Sequence, residues 1–171
     1  AMACLIQQEL AIPSAMALDI NVACTAFCFA VDMARRYLVT GDVEHVLLVS
    51  AESLSQITNY QDRATCGLFG DGAGACVLGK NKNPTVYGSF QDCDASGAEY
   101  IHAKHSRKTH PFNSVENNDI QEPFPIHWHD LIYMNGREVY KFATRAMPDA
   151  VEAACRKAGV SVSDLSLIIP H

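Results

Sequence analysis

Leu18-Asp19-Ile20-Asn21-Val22-Ala23-Cys24-Thr25-Ala26-Phe27 is the stretch on which the fold of this chain turns. Met16 to Val22 is short and mostly apolar, and small residues follow it, which predicts a buried strand. From Cys24 to Val39 apolar residues recur at three and four positions: Phe27, Val31, Ala34, Tyr37 and Leu38. That spacing predicts a helix, so the cysteine stands where strand turns into helix. A thiol in the first turn of a helix feels the positive end of the macrodipole, which favours the nucleophilic thiolate. The alternative for the same residue is a small, buried packing cysteine. Cys28, four residues on, reads as packing.

The neighbouring segments extend the pattern. Met2 to Leu10 reads as an amphipathic helix, leading through Pro13 into the first strand. Gly41 suits a left-handed helix C-cap. His45 to Ala51 is an almost continuous apolar run, as in a strand covered on both faces. Strand, helix and strand from Met16 to Ala51 then form a βαβ unit with a right-handed crossover. Gly70-Asp71-Gly72-Ala73-Gly74-Ala75 precedes an expected strand over Ala75 to Gly79. A phosphate-binding glycine loop should open onto a helix, so this one reads as tight backbone packing. A further strand is expected over Thr85 to Cys93.

Asp94 to Tyr133 is the least regular region and holds His102, His105, His110, His127 and His129. Their spacing is loose and lacks a zinc pattern, so a surface excursion is expected rather than a metal site. Gly136 to Ala158 reads as a long helix ended by Gly159, with Pro148 kinking or breaking it. Ser163-Asp164 opens a turn and Leu165 to Ile169 reads as the last strand.

Composition narrows the function classes. The chain has 171 residues, 49% of them hydrophobic, and a formal charge of −6. An acidic chain with an ordinary charged fraction is expected to pack a core and not to bind nucleic acid. No apolar run approaches the ~18 residues that a membrane helix needs. The opening AMACLIQQEL lacks the basic region of a signal peptide. Seven cysteines, an odd number, lie scattered through core-like segments, which fits a reducing cytoplasm. Neither end tapers into polar residues, and an internal piece of a longer protein is expected.

Three motifs stand in order: DINVACTAF at 19–27, FGDGAGA at Phe69 to Ala75 and IIPH at Ile168 to His171. Together they resemble a β-ketoacyl-acyl carrier protein synthase III, a condensing enzyme of the thiolase-like superfamily. The resemblance implies an α/β fold of two similar halves layered α/β/α/β/α, of which this chain covers part. Residues 1–80 would be the remainder of the N-terminal half. Residues 81–171 would start the C-terminal half, with an irregular insertion at about 94–133.

The implied activity is acyl transfer from acyl-coenzyme A to Cys24, then decarboxylative condensation with a malonyl thioester. Cys24 and His171 fall on the family's catalytic cysteine and first catalytic histidine. A second enolate-stabilising residue, an asparagine, is expected beyond residue 171. Arg63 matches an arginine near the adenine of coenzyme A; Gly136 and Tyr140 match channel positions; Leu68 and Phe69 match the acyl-pocket wall. Lys141 is placed to meet an acidic carrier protein. The sequence departs from the family at Ala64 and Cys66, where glycine and a branched aliphatic are usual. Acyl-coenzyme A, malonyl-acyl carrier protein and a second copy of the chain are the implied partners, with no cofactor beyond the thioester substrate. Two alternatives stand: acyl transfer to oxygen or nitrogen, and a catalytically incomplete structural homologue.

Overall fold

The computed structural model describes residues 1–83, 86–103 and 131–171. These fall into two compact units, one from Ala1–Ser50, Ala75–Thr85 and Ile169–His171, the other from Ala51–Gly74 and Val86–Ile168.

In the first unit, helix α1 (Met2–Glu9) leads through a turn to the segment 16–22. Helix α2 (Ala26–Thr40) follows and stops at Gly41, whose φ of 87° supplies the left-handed cap expected of it. Ala34 and Asp32 face inward on α2, and Asp32 accepts Arg36 Nε–H at 2.9 Å. His45–Ser50 of strand β1 (His45–Ser53) and Ala75–Gly79 of strand β2 (Asp71–Gly79) belong to this unit, and the two strands pair in a two-stranded sheet. Glu44 and Lys80 close one end of the pair at 2.7 Å.

In the second unit, β3 (Ile101–Ala103) pairs antiparallel with β4 (Ile132–Met134), Ile101 opposite Met134. Helix α3 (Gly136–Ala158) follows directly. The Asn135 side chain accepts the Glu138 amide at its start, and Gly159, at φ 71°, ends it. Arg156 and Lys157 in its last turn complement the helix dipole. Gly88 lies against its C-terminal half: a Cβ there would stand 2.1 Å from the Ala154 carbonyl oxygen. Lys157 reaches over the Phe90 ring at 5.5 Å, a second contact between residues 88–90 and the helix.

The helices α1, α2 and α3 and the strand β1 agree with the sequence. Several expectations need correction. Met16–Val22, Val86–Cys93 and Leu165–Ile169 form no ladder among the described residues; Thr85 lies outside them. A strand exists through its partner's hydrogen bonds, and an apolar run cannot supply the partner. The βαβ unit is therefore not closed here. Leu47 and Val49 are 38% and 42% exposed, so β1 is not covered on both faces.

The glycine run lies mostly inside β2 and not in a loop before it. An added Cβ at Gly70, Gly72 or Gly74 would meet nothing within 4 Å, against the tight packing expected there. The chain passes Pro148 without a break. The ends of the 94–133 region are ordered by β3 and β4, where His102 stacks on Tyr133 with ring centroids 5.1 Å apart. His105, His110, His127 and His129 lie outside the described residues.

Candidate active site

Cys24 is not in the first turn of α2. It is the middle residue of a 3₁₀ turn, Ala23–Thr25, that precedes the helix. The reason lies one residue earlier. Ala23 has φ 46°, a left-handed conformation rare for a residue with a Cβ, and the chain reverses there too sharply to enter an α-helix at once. Hydrogen bonds hold the turn, among them that of the Ala26 amide to the Ala23 carbonyl. Ala23 N–H donates to Asn21 Oδ1 at 3.2 Å. Thr25 N–H and Thr25 Oγ1 both donate to the Val22 carbonyl, at 3.2 and 2.8 Å. The result presents Cys24 exposed, close to the N-terminus of α2.

The segment before the turn is tied back to α1. Asp19 accepts the amides of Met2 and Ala3, each at 2.7 Å, on its two carboxylate oxygens. These donors, the Ala3 amide foremost, hold its carboxyl below the usual carboxylate range. Gln7 reaches the carbonyls of Pro13 and Ala15 from the same helix. The apolar pattern over 16–22 assigns Asp19 no role. An aspartate seated in such a run, and the two-residue spacing from Asn21 to Ala23 typical of an Asx turn, were the available signals.

His171 is exposed and follows Pro170. It belongs to the same compact unit as Cys24, although the two stand near opposite ends of the sequence. Arg63, Leu68, Phe69, Gly136, Tyr140 and Lys141 all belong to the second unit. Arg63 is exposed on a turn built by its neighbours. Asp62 accepts the Ala64 amide at 2.9 Å and the Thr65 hydroxyl at 2.9 Å, and Thr65 is fully buried. That buried hydroxyl–carboxylate pair fixes the loop beneath an outward-facing guanidinium.

Leu68 is exposed and Phe69 half-buried, just before β2. Asp71 fastens the start of β2, accepting Ser55 N–H at 2.8 Å and Ser55 Oγ–H at 2.6 Å. Gly136 opens α3 and Tyr140 stands exposed one turn on. Lys141 pairs with Glu138 at 2.7 Å, so its ammonium is shared within its own helix. Among the described residues no three His, Cys, Asp or Glu side chains cluster to hold a metal ion, and no helix is long and apolar enough to cross a membrane.

The family model for 3-oxoacyl-[acyl-carrier-protein (ACP)] synthase III matches residues 18–97, the stretch that carries Cys24, Arg63 and the glycine run. A β-ketoacyl-[acyl-carrier-protein] synthase III of Oceanobacillus iheyensis is 38% identical over 170 residues, 99% of this chain and 47% of that protein. The chain is similar to the β-ketoacyl-[acyl-carrier-protein] synthases III over 99% of its length. The synthase III of Thermus thermophilus superposes with a TM-score of 0.80 at 34% identity, over 96% of this chain and 48% of that one. The priming β-ketosynthase of the R1128 polyketide pathway gives 0.77 at 29% identity, over 95% and 45%. The fold is thus the thiolase-like fold of the synthases III. This chain spans about half the length of the relatives it matches.

Proposed function

We propose that the whole protein is a synthase III that primes Cys24 from acyl-coenzyme A and then condenses the acyl group with a malonyl thioester. Cys24 sulfur attacks the acyl carbonyl and the coenzyme A thiolate leaves, so one thioester replaces another. The malonyl group then loses carbon dioxide. The enolate carbon attacks the Cys24 thioester and expels the cysteine thiolate, which gives the β-ketoacyl product. Negative charge gathers on the malonyl thioester oxygen in this step, and the His171 imidazole donates Nε2–H to it.

In the same reading, Arg63 meets the adenine end of coenzyme A. Leu68 and Phe69 wall the acyl pocket, and Gly136 and Tyr140 line the channel. Lys141 meets the carrier protein once Glu138 releases it. The thioester carrier needs no resident cofactor beside it. Residues 1–80 and 81–171 are assigned to the two thiolase-like halves. The setting is cytoplasmic, and the working form is a dimer joined along Met16–Val22.

One observation carries this reading: the exposed cysteine on a strained turn at a helix entrance, inside the stretch that matches the family model. The test is a product assay on the full-length protein with acyl-coenzyme A and a malonyl-loaded carrier protein. A β-keto product two carbons longer than the primer, with one carbon dioxide released, is expected. Acyl esters or amides without carbon dioxide would show transfer to oxygen or nitrogen instead. Absence of all turnover would leave a structural homologue.

A further inference from the structure

We propose that Asp19 is a positioning residue for Cys24, acting through the start of helix α1. Its two oxygens take the Met2 and Ala3 amides at 2.7 Å each. The aspartate thus bonds two successive amides of the first turn of α1 from a distant point in the chain. Charge-assisted bonds to two successive amides fix both the place and the tilt of a carboxylate, where a single bond would fix only the distance.

What Asp19 holds is the segment that enters the cysteine turn. Asp19 lies within residues 16–22 and is bonded to the first turn of α1. Asp19 ties them to an element outside themselves. Beyond it the restraints are local: Asn21 on the Ala23 amide, and Thr25 on the Val22 carbonyl. Ala23 at φ 46° is a strained state that lasts only while its surroundings over-determine it. Freeing the upstream end lets Ala23 relax and carries Cys24 with it. A displacement of about 1 Å at a nucleophile costs on the order of a hundredfold in rate.

This inference rests on Cys24 as the acyl acceptor, so the experiment includes Cys24→Ala. In the full-length protein, single-turnover acylation is followed at varied acyl-coenzyme A for Asp19→Ala, Asp19→Asn, Cys24→Ala and Gln8→Gly. Gln8→Gly weakens exposed α1 without touching the aspartate. Asp19→Ala should lower the maximal acylation rate ten- to a hundredfold, with the half-saturating concentration unchanged. Asp19→Asn keeps one acceptor and should fall between; it decides the matter if the alanine variant does not fold. Gln8→Gly should acylate at the wild-type rate despite a lower melting temperature. Wild-type rates in the Asp19 variants, or an equal loss in Gln8→Gly, would overturn the proposal. Acylation surviving in Cys24→Ala would overturn the underlying reading of the cysteine instead.

Discussion

Cys24 and His171 share a compact unit, but they are held in different ways. The cysteine sits on a turn with a strained residue on one side and a hydroxyl–carbonyl bond on the other. The histidine ends the sequence after a proline. Their proposed tasks differ too, which makes them separable by kinetics. His171→Ala in the full-length protein should reduce malonyl decarboxylation by about 10²–10³, the loss usual for one oxyanion donor, and leave acylation of Cys24 near the wild-type rate. Labelled carbon dioxide and acyl-enzyme, measured separately, check this; a collapse of acylation with decarboxylation intact would contradict it. The cysteine was legible in the sequence because an apolar stretch, small residues and a helical period meet there. The strain at Ala23 was not: alanine carries no signal for a positive φ, and the bond that sustains it comes from a side chain two residues away.

Among the elements, helices were read well and strands poorly, and the cause is physical. A helix closes its hydrogen bonds within itself, so α3 is visible in its own period, its Asn135 cap and its Gly159 terminator. A strand needs a partner. Val86–Cys93 has the composition of a strand, yet its clearest contacts run to α3, through Gly88 and Phe90. Gly88→Ala would drive a methyl group into the backbone at Ala154 and Ala158. A loss of about 1–3 kcal/mol is expected, read as a lower denaturant midpoint at unchanged slope. An unchanged midpoint would show that this segment does not bear on the helix.

At the start of β2, Ser55 holds the Asp71 carboxyl below its usual range, by its hydroxyl and then by its amide. A lowered folded-state pKa stabilises above the unfolded value and loses that stabilisation as the pH falls through the folded one. Stability measured from pH 6 downward should therefore fall below about pH 4 with an Asp71 contribution. Ser55→Ala should shrink that contribution; an unaltered acid limb would contradict the assignment.

In the molecule as a whole, the sequence is written for more neighbours than the described residues supply. Met16, Leu18, Leu47, Val49, Leu167 and Ile169 are large, apolar and exposed, with Ile169 at 84%. The apolar run in β1 predicted cover on both faces because selection acts on the environment of the working protein, and this chain spans about half the length of its relatives. Met16–Val22 is the segment proposed to meet its twin across a two-fold axis. Sedimentation of full-length protein should show a dimer at micromolar concentration, and Ile20→Pro should weaken it by removing a backbone donor. A stable, active monomer would rule the arrangement out. The central claim, a cysteine-borne acyl group, has the most direct test. Full-length protein is incubated with acyl-coenzyme A, digested, and the adduct mapped by mass spectrometry. The account predicts one acyl group on the peptide containing Cys24, lost in Cys24→Ala; an acyl group on another residue, or one retained undiminished in Cys24→Ala, would contradict it.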